Sequence, residues 1–414
     1  MRVTIPILIL LILSLFAGCF SDDGDDFDWA DPQTTNCNLA NDLTCTNLFP
    51  GTGTPHHSEV NPQTNELWII YLSGMVKIWQ DDELIQAGDL SEIVNRCHTE
   101  QGLLGFAFDA NYNSTKQLLL SYVEKGSCEG ANTADLVLAS VVVTDDVINL
   151  DTLIVLKTVE QPYRNHNGGH LLGLGNGKYL WGIGDGGGAN DPEKNGQNSE
   201  NLLGTIVYFQ YSDGEVNPVM NSENENSYIL HYGLRNPWKF DVGPNEELWI
   251  ADVGQNCWEE INLVNLVNKS NLGWSEKEGF SDFSEGGSCE GGVVSENNEY
   301  TDPVFVYGHN NGNCSITGGF WIENTIISDQ GGYLFGDFCS GSLWILSNGV
   351  NHTWKETYLG NVGGLIVGFG EGANGELLVF FWTGEIIQIT QSAAADSNIV
   401  RDLLQYCDET PRRA

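Results

Sequence analysis

The sequence predicts an all-β fold, a six-bladed β-propeller, and three observations carry that prediction. The chain is rich in glycine and aromatic residues, with 49 Gly, 12 Trp, 14 Tyr and 17 Phe among 414 residues. Such a composition suits short strands joined by tight turns. One module recurs: NPQTNELWIIYLSGMVKIW from Asn61, GLGNGKYLWGIGDGGG from Gly173, GPNEELWIADVGQ from Gly243, DQGGYLFGDFCSGSLWIL from Asp329 and GANGELLVFFWTGEIIQIT from Gly372. Each copy is a Gly/Asn/Asp turn, a short apolar strand, usually a second turn and often a second strand. The pattern runs without a linker from about Leu39 to Thr390, whereas two β-sandwiches of that length would need one. About 350 residues at four strands per blade make roughly six blades. In such a fold GKYLWGIG is expected as an inner strand. Loops at one end of the axis should gather chemistry from several blades.

Along the chain, residues 1–18 read as a signal peptide: one arginine, then an apolar run that is short for a spanning helix. LFAGC resembles a lipoprotein box with Cys19 as the lipidated residue; an ordinary signal that contains a cysteine is the alternative. Residues 19–35 form an acidic tether, 36–392 the propeller, and 393–414 a tail of helical character. The expectation is an exported cell-surface or periplasmic lipoprotein that meets the membrane only through its lipid anchor.

Without Cys19, nine cysteines remain. An exported chain with this many should form disulfides. Neighbour pairings Cys97–Cys128, Cys257–Cys289 and Cys314–Cys339 fit, although sequence leaves the connectivity open. No C-x-x-C pair occurs, which argues against a zinc ribbon or thioredoxin-type site. Asp and Glu number 56 against 17 Lys and Arg, a net charge of −39. A surface this acidic repels nucleic acid, so that partner class is excluded. It also fits a salt-adapted protein.

Four stretches offer chemistry. RNHNGGHLLGLGNGKYLWGIGDGGG, from Arg164, has neither a phosphate-loop signature nor a βαβ context. Its paired glycines forbid the helix that would make His166 and His170 a zinc pair. What remains is a histidine on a loop: a general base near neutral pH, or a buried, satisfied histidine in a turn. YGLRNPWKFD places Arg235 beside Asn236, either to polarise an oxygen or to make a surface ion pair. DVGQNCWEEINLV offers the carbonyls of Gly254 and Gln255 with Glu259 and Glu260 nearby, which suits calcium or a solvated acidic loop. In EQGLLGFAFDANY, Gln101 precedes a buried strand.

Taken in order, QGLLGFAFD, NHNGG, GDGGGANDPEKNGQNSENLLG, YGLRNPW, DVGQNCWEEINLV, NLGW, CSITGGFW and GGYLFGDFCSGSLW resemble the soluble quinoprotein sugar dehydrogenase family. That family includes soluble glucose dehydrogenase, aldose sugar dehydrogenases and hedgehog-interacting-protein-like proteins. The resemblance covers about Gly53 to Thr390. It implies a six-bladed propeller that uses pyrroloquinoline quinone (PQQ) and calcium to oxidise a sugar. By resemblance His166 is the base that takes the anomeric hydroxyl proton, and Arg235 polarises the quinone carbonyl region with Asn236 beside it. Gln101 and Asn165 help to bind substrate or cofactor, and the carbonyls of Gly254 and Gln255 ligate calcium. The redox partner is not implied.

The departures point to the hedgehog-interacting-protein-like branch. FGDFCSGSLWILSNG and LGNVGGLIVGFGEGANGE hold no lysine or arginine, where the quinoproteins anchor the cofactor's carboxylates. Leu203-Gly204-Thr205 stands where leucine-glycine-lysine is usual. Two functions follow: a PQQ- and calcium-dependent aldose dehydrogenase, or a non-catalytic, calcium-stabilised cell-surface propeller that binds a glycan or protein.

Overall fold

In a computed structural model, residues 37–40, 43–220, 226–283, 299–323, 327, 331–349 and 353–391 are described. Six blades, each built on four antiparallel strands, follow one another, and short extra strands join blades 3 and 5. Blade 1 holds Pro55–Val60, Leu67–Tyr71, Met75–Gln80 and Glu83–Asp89. Blades 2 to 5 begin with the inner strands Leu103–Phe108, Leu171–Gly173, Pro237–Val242 and Ile316–Ile322. Blade 6 runs Ile366–Glu371, Leu377–Phe381 and Ile386–Gln391, and its fourth strand is Leu43–Phe49 from the other end of the chain. The inner strands pack in chain order, and the sixth returns to the first. Closure therefore rests on strand pairing between distant parts of the sequence, and it removes the exposed edges of an open array. The Cys37–Cys45 disulfide reinforces it, linking Asn38–Leu39 on the edge of blade 5 to the closing strand of blade 6.

The recurring apolar segments are the second strands of their blades. GKYLWGIG supplies Lys178–Ile183, which lies between Leu171–Gly173 and Thr205–Ser212, so it is not the innermost strand as expected. The physical reason is burial. Second strands such as Leu67–Tyr71, Gly332–Asp337 and Leu377–Phe381 are buried along their whole length. Both faces pack on neighbouring blades, so they read as unbroken apolar runs. Trp249 of blade 4, for example, stacks on Tyr333 of blade 5 with ring centroids 5.3 Å apart.

The inner strands of blades 1 and 4, PHHSEV and PWKFDV, are more polar where they line the axis. Lys239 Nζ of blade 4 lies 3.2 Å from His56 Nδ1 of blade 1, a bond between opposite members of the ring. His56 Nε2 donates to Leu103 O at 2.7 Å, which leaves Nδ1 to accept from the lysine. The His57 and His170 rings meet edge-on at 4.8 Å, and His170 Nε2 donates to Phe240 O at 3.2 Å. Burial lowers the Lys239 pKa to about 7. Burial, with the charge of Lys239, also pushes His56 and His170 well below the usual histidine range.

Disulfides Cys97–Cys128 and Cys314–Cys339 form as expected. Cys257 is disulfide-bonded, while Cys289 lies outside the described residues. Cys19, the signal segment, the tether and the C-terminal tail also lie outside them. No described helix is long and apolar enough to cross a membrane.

Candidate active site

Antiparallel pairing sets the start of each inner strand beside the end of the second strand: Leu171 opposes Trp181, Pro237 opposes Asp252 and Ile316 opposes Asp337. The loops that enter inner strands therefore share one end of the propeller with the loops that leave second strands. In blades 4 and 5 an aspartate at that corner fixes the entering chain. Asp252 accepts from the amides of Arg235 and Asn236 at 2.9 and 2.7 Å. Asp337 accepts from the amides of Cys314 and Ser315, both at 3.0 Å.

Blade 3 puts its corner aspartate to another use. Asp185 Oδ1 lies 2.7 Å from His166 Nδ1, and the two side chains are only 0% and 3% exposed. The carboxylate can only accept, so the imidazole carries a proton on Nδ1. Asp185 is itself fixed by Gly187 N at 2.9 Å and by the Trp274 indole N–H at 2.8 Å. His166 has φ +54°, a left-handed conformation uncommon outside glycine. Its amide donates to Glu100 Oε2 at 2.6 Å, and Asn236 Nδ2 donates to the same oxygen at 3.1 Å. The blade corner closes over the loop so tightly that a Cβ on Gly184 would lie 2.0 Å from His166 O. His166 is thus buried and hydrogen-bonded, and those same bonds prepare its Nε2 for base chemistry.

Arg235 is 3% exposed, which excludes the surface ion pair. Its NH1 donates to Val253 O at 3.0 Å, and its guanidinium lies 5.6 Å from the Trp274 ring centroid. One tryptophan therefore holds the partner of His166 through its edge and stacks on Arg235 with its face. Asn236 Oδ1 accepts from Gly168 N at 3.1 Å, joining the arginine loop to the histidine loop. Gln101 is fully buried; its Oε1 accepts from Asn95 Nδ2 at 3.1 Å, while its Nε2 has no partner among the described residues. Asn165 Oδ1 accepts from Gly188 N at 3.1 Å and so braces the glycine loop.

The Gly254–Gln255 turn is organised by Glu278. Its Oε1 accepts from the amides of Gln255 and Asn256 at 2.7 Å, Cys257 at 3.0 Å and Trp258 at 3.4 Å. No hydrogen bond engages the carbonyls of Gly254 or Gln255 among the described residues. A cavity of about 10 Å³, room for roughly one water or small ion, is lined by the cations Arg235 and Lys277, the carboxylates Asp252, Glu260 and Glu278, and by Val253, Gly254 and Trp274. Burial raises both the Asp252 and the Glu260 pKa; the charge of Asp252 raises Glu260 further, and that of Asp185 adds to Asp252. Glu259 and Glu260 are not in a solvated acidic loop. Glu259 is buried and accepts from Ile316 N at 2.9 Å and His309 Nε2 at 2.7 Å, while Glu260 accepts from Gly279 N at 2.9 Å. Among the described residues no three His, Cys, Asp or Glu side chains form a metal-ligating group.

Sequence reasoning missed Asp185, Asp252, Glu100, Trp274 and Glu278. A usable signal existed for the first two: GIGDGGG, IADVGQ and FGDFCSG each set an aspartate just past an apolar run.

A sequence model of glucose / sorbosone dehydrogenase matches residues 54–383. The chain belongs to that family. Among its relatives, the HIPL2 protein of Arabidopsis thaliana is 33% identical over 217 residues, 45% of this chain and 30% of that protein. Quinoprotein glucose dehydrogenase B of Acinetobacter calcoaceticus is 27% identical over 217 residues, 47% of this chain and 44% of that protein. Each match spans less than half of the relative's length. The soluble aldose sugar dehydrogenase of Escherichia coli, solved in its apo form, superposes with a TM-score of 0.67 at 21% identity, covering 84% of this chain and 99% of that one. The PQQ-bound aldose sugar dehydrogenase of Streptomyces coelicolor gives 0.63 at 17%, covering 87% and 99%. These likenesses agree with the propeller fold.

Proposed function

We propose that this family member is a calcium- and PQQ-dependent aldose dehydrogenase, exported as a lipoprotein through Cys19. The His166–Asp185 pair, joined to Arg235 through Trp274, is the observation that carries the reading. His166 Nε2 takes the proton of the anomeric hydroxyl, and Asp185 stabilises the imidazolium that forms. Arg235 places positive charge where the quinone oxygens would lie. Gln101 Nε2, a buried donor without a protein partner, suits a ligand oxygen. The free carbonyls of Gly254 and Gln255 suit a calcium ion, which prefers oxygen ligands. When bound, the quinone supplies the hydride acceptor. The donor set fits calcium and the quinone's carbonyl oxygens, while the late segments offer no cation for its carboxylates.

The test is to add calcium and PQQ to purified protein and follow dye reduction across a panel of aldoses. Turnover that His166→Ala abolishes supports the reading; absence of both PQQ binding and turnover overturns it. In that case the second reading applies, a calcium-stabilised surface propeller that binds a glycan or protein. The likeness to the HIPL2 protein and the lack of late-chain cations favour that alternative.

A further inference from the structure

The family's cofactor carries carboxylates, and the late segments that would be expected to hold them contain no cation. The structure supplies one from elsewhere. Arg96 lies in the loop that enters the inner strand of blade 2, at the same end of the propeller as His166. Its guanidinium carbon stands 5.9 Å from the ring centroid of Trp382, which follows the second strand of blade 6. Its NH1 donates to Thr99 O at 3.1 Å and to Gln101 O. The intervening Glu100 is the residue that holds the His166 amide. The Cys97–Cys128 disulfide anchors the loop immediately after the arginine.

Two further features set Arg96 apart. It is exposed to solvent, yet desolvation lowers its pKa to about 10, and its charge is felt by His56 on the axis. Its guanidinium sits between the loop that enters blade 2 and Trp382 of blade 6. In a chain of net charge −39, no carboxylate among the described residues lies within ion-pair distance of it. NH1 is committed to carbonyls, and the remaining guanidinium edge has donors to offer. Arg235 is engaged by Val253 and Trp274, and Arg164 NH2 donates to Gly130 O at 2.7 Å, away from the axis.

We propose that Arg96, stacked on Trp382, anchors a carboxylate of the ligand that sits against His166. A planar guanidinium binds a carboxylate through paired hydrogen bonds, and the aromatic face fixes its plane. The carboxylate belongs either to the quinone or to an acidic sugar such as a uronate. The inference rests on the funnel being a ligand site, as proposed above, and its test separates the two sources.

The full chain with calcium is titrated with PQQ by equilibrium dialysis, and with glucuronate and glucose by calorimetry. Arg96→Gln should weaken binding of the carboxylated ligand at least ten-fold and leave glucose unchanged. Arg96→Lys should recover part of the loss. Arg96→Gln also gives up the bonds to Thr99 and Gln101, so Trp382→Phe, which keeps them, is the second variant and should weaken binding several-fold. Melting curves without ligand check folding. Arg96-dependent glucuronate binding without PQQ binding would sustain the anchor and remove the quinone reading. PQQ and glucuronate binding that are each equal in wild type, Arg96→Gln and Trp382→Phe would overturn the anchor and leave the quinone reading intact. Wild-type protein that binds neither carboxylated probe also overturns the anchor.

Discussion

Lys239 on the propeller axis gives a stability signature that does not depend on any catalytic assignment. Its pKa falls from 10.5 to about 7 through burial. That is a shift of about 3.5 units, or about 5 kcal/mol at 1.36 kcal/mol per unit. Linkage fixes the sign. Between pH 7 and 10.5 the unfolded lysine holds its proton and the folded one does not, so folding stability rises with pH through that window. Below pH 7 both are protonated, and the full penalty remains. His56, His57 and His170 surround the amine, and burial lowers the pKa of each, so they stay neutral across the window and add no slope. Lys239→Met keeps an unbranched side chain, one atom shorter, and removes the charge, but orphans the acceptor on His56 Nδ1, at a cost of about 2 kcal/mol. The variant should therefore be more stable than wild type by about 3 kcal/mol near pH 6 and less stable by about 2 kcal/mol above pH 10, with the curves crossing near about pH 9. Urea unfolding followed by tryptophan fluorescence at pH 6, 8 and 10 measures this. A difference that stays constant across pH would refute the desolvated lysine.

Three further outcomes are expected. Asp185→Asn can present an amide donor to His166 Nδ1 and favour the wrong tautomer; kcat in the dye-linked assay should fall about 100-fold or more with KM little changed, and an unchanged kcat would rule out the orienting role. Glu278→Gln weakens the acceptor for four backbone amides, so the protein should lose about 2 kcal/mol and, with calcium seated at this turn as proposed, most of any rise in Tm on adding calcium; an unaltered calcium response would separate Glu278 from that turn. Gly184→Ala pushes a methyl group against His166 O, and the overpacking should cost about 1–3 kcal/mol by denaturant unfolding; a silent substitution would show that the corner is looser than its 2.0 Å approach implies.

The second strands were legible because neighbouring blades bury both their faces, which writes runs such as ELWIIY and KYLWGI into the sequence. The inner strands of blades 1 and 4 were not, since PHHSEV and PWKFDV trade apolar side chains for the polar groups of the axis. This is why Lys178–Ile183 looked innermost. His166, Arg235, Asn236 and the Gly254–Gln255 turn stood out through scarce residue types and glycine-rich context. Their partners did not, because a lone aspartate or tryptophan is common among so many. Arg96 was hidden in a loop far in sequence from Trp382, although the two stack.

By itself, then, the sequence determined the blade count, the family resemblance and the loops that carry the site, because periodic burial and local turn chemistry are written residue by residue. Only the tertiary structure decided that Leu43–Phe49 closes blade 6, that Asp185 turns from the corner role of Asp252 and Asp337 to His166, and that Lys239 meets His56 across the axis. The first and last of these join residues far apart in the chain, through the closing of whole blades into a ring. The second lies within blade 3, where pairing of its first two strands brings Asp185 to the loop of His166. No local pattern encodes either.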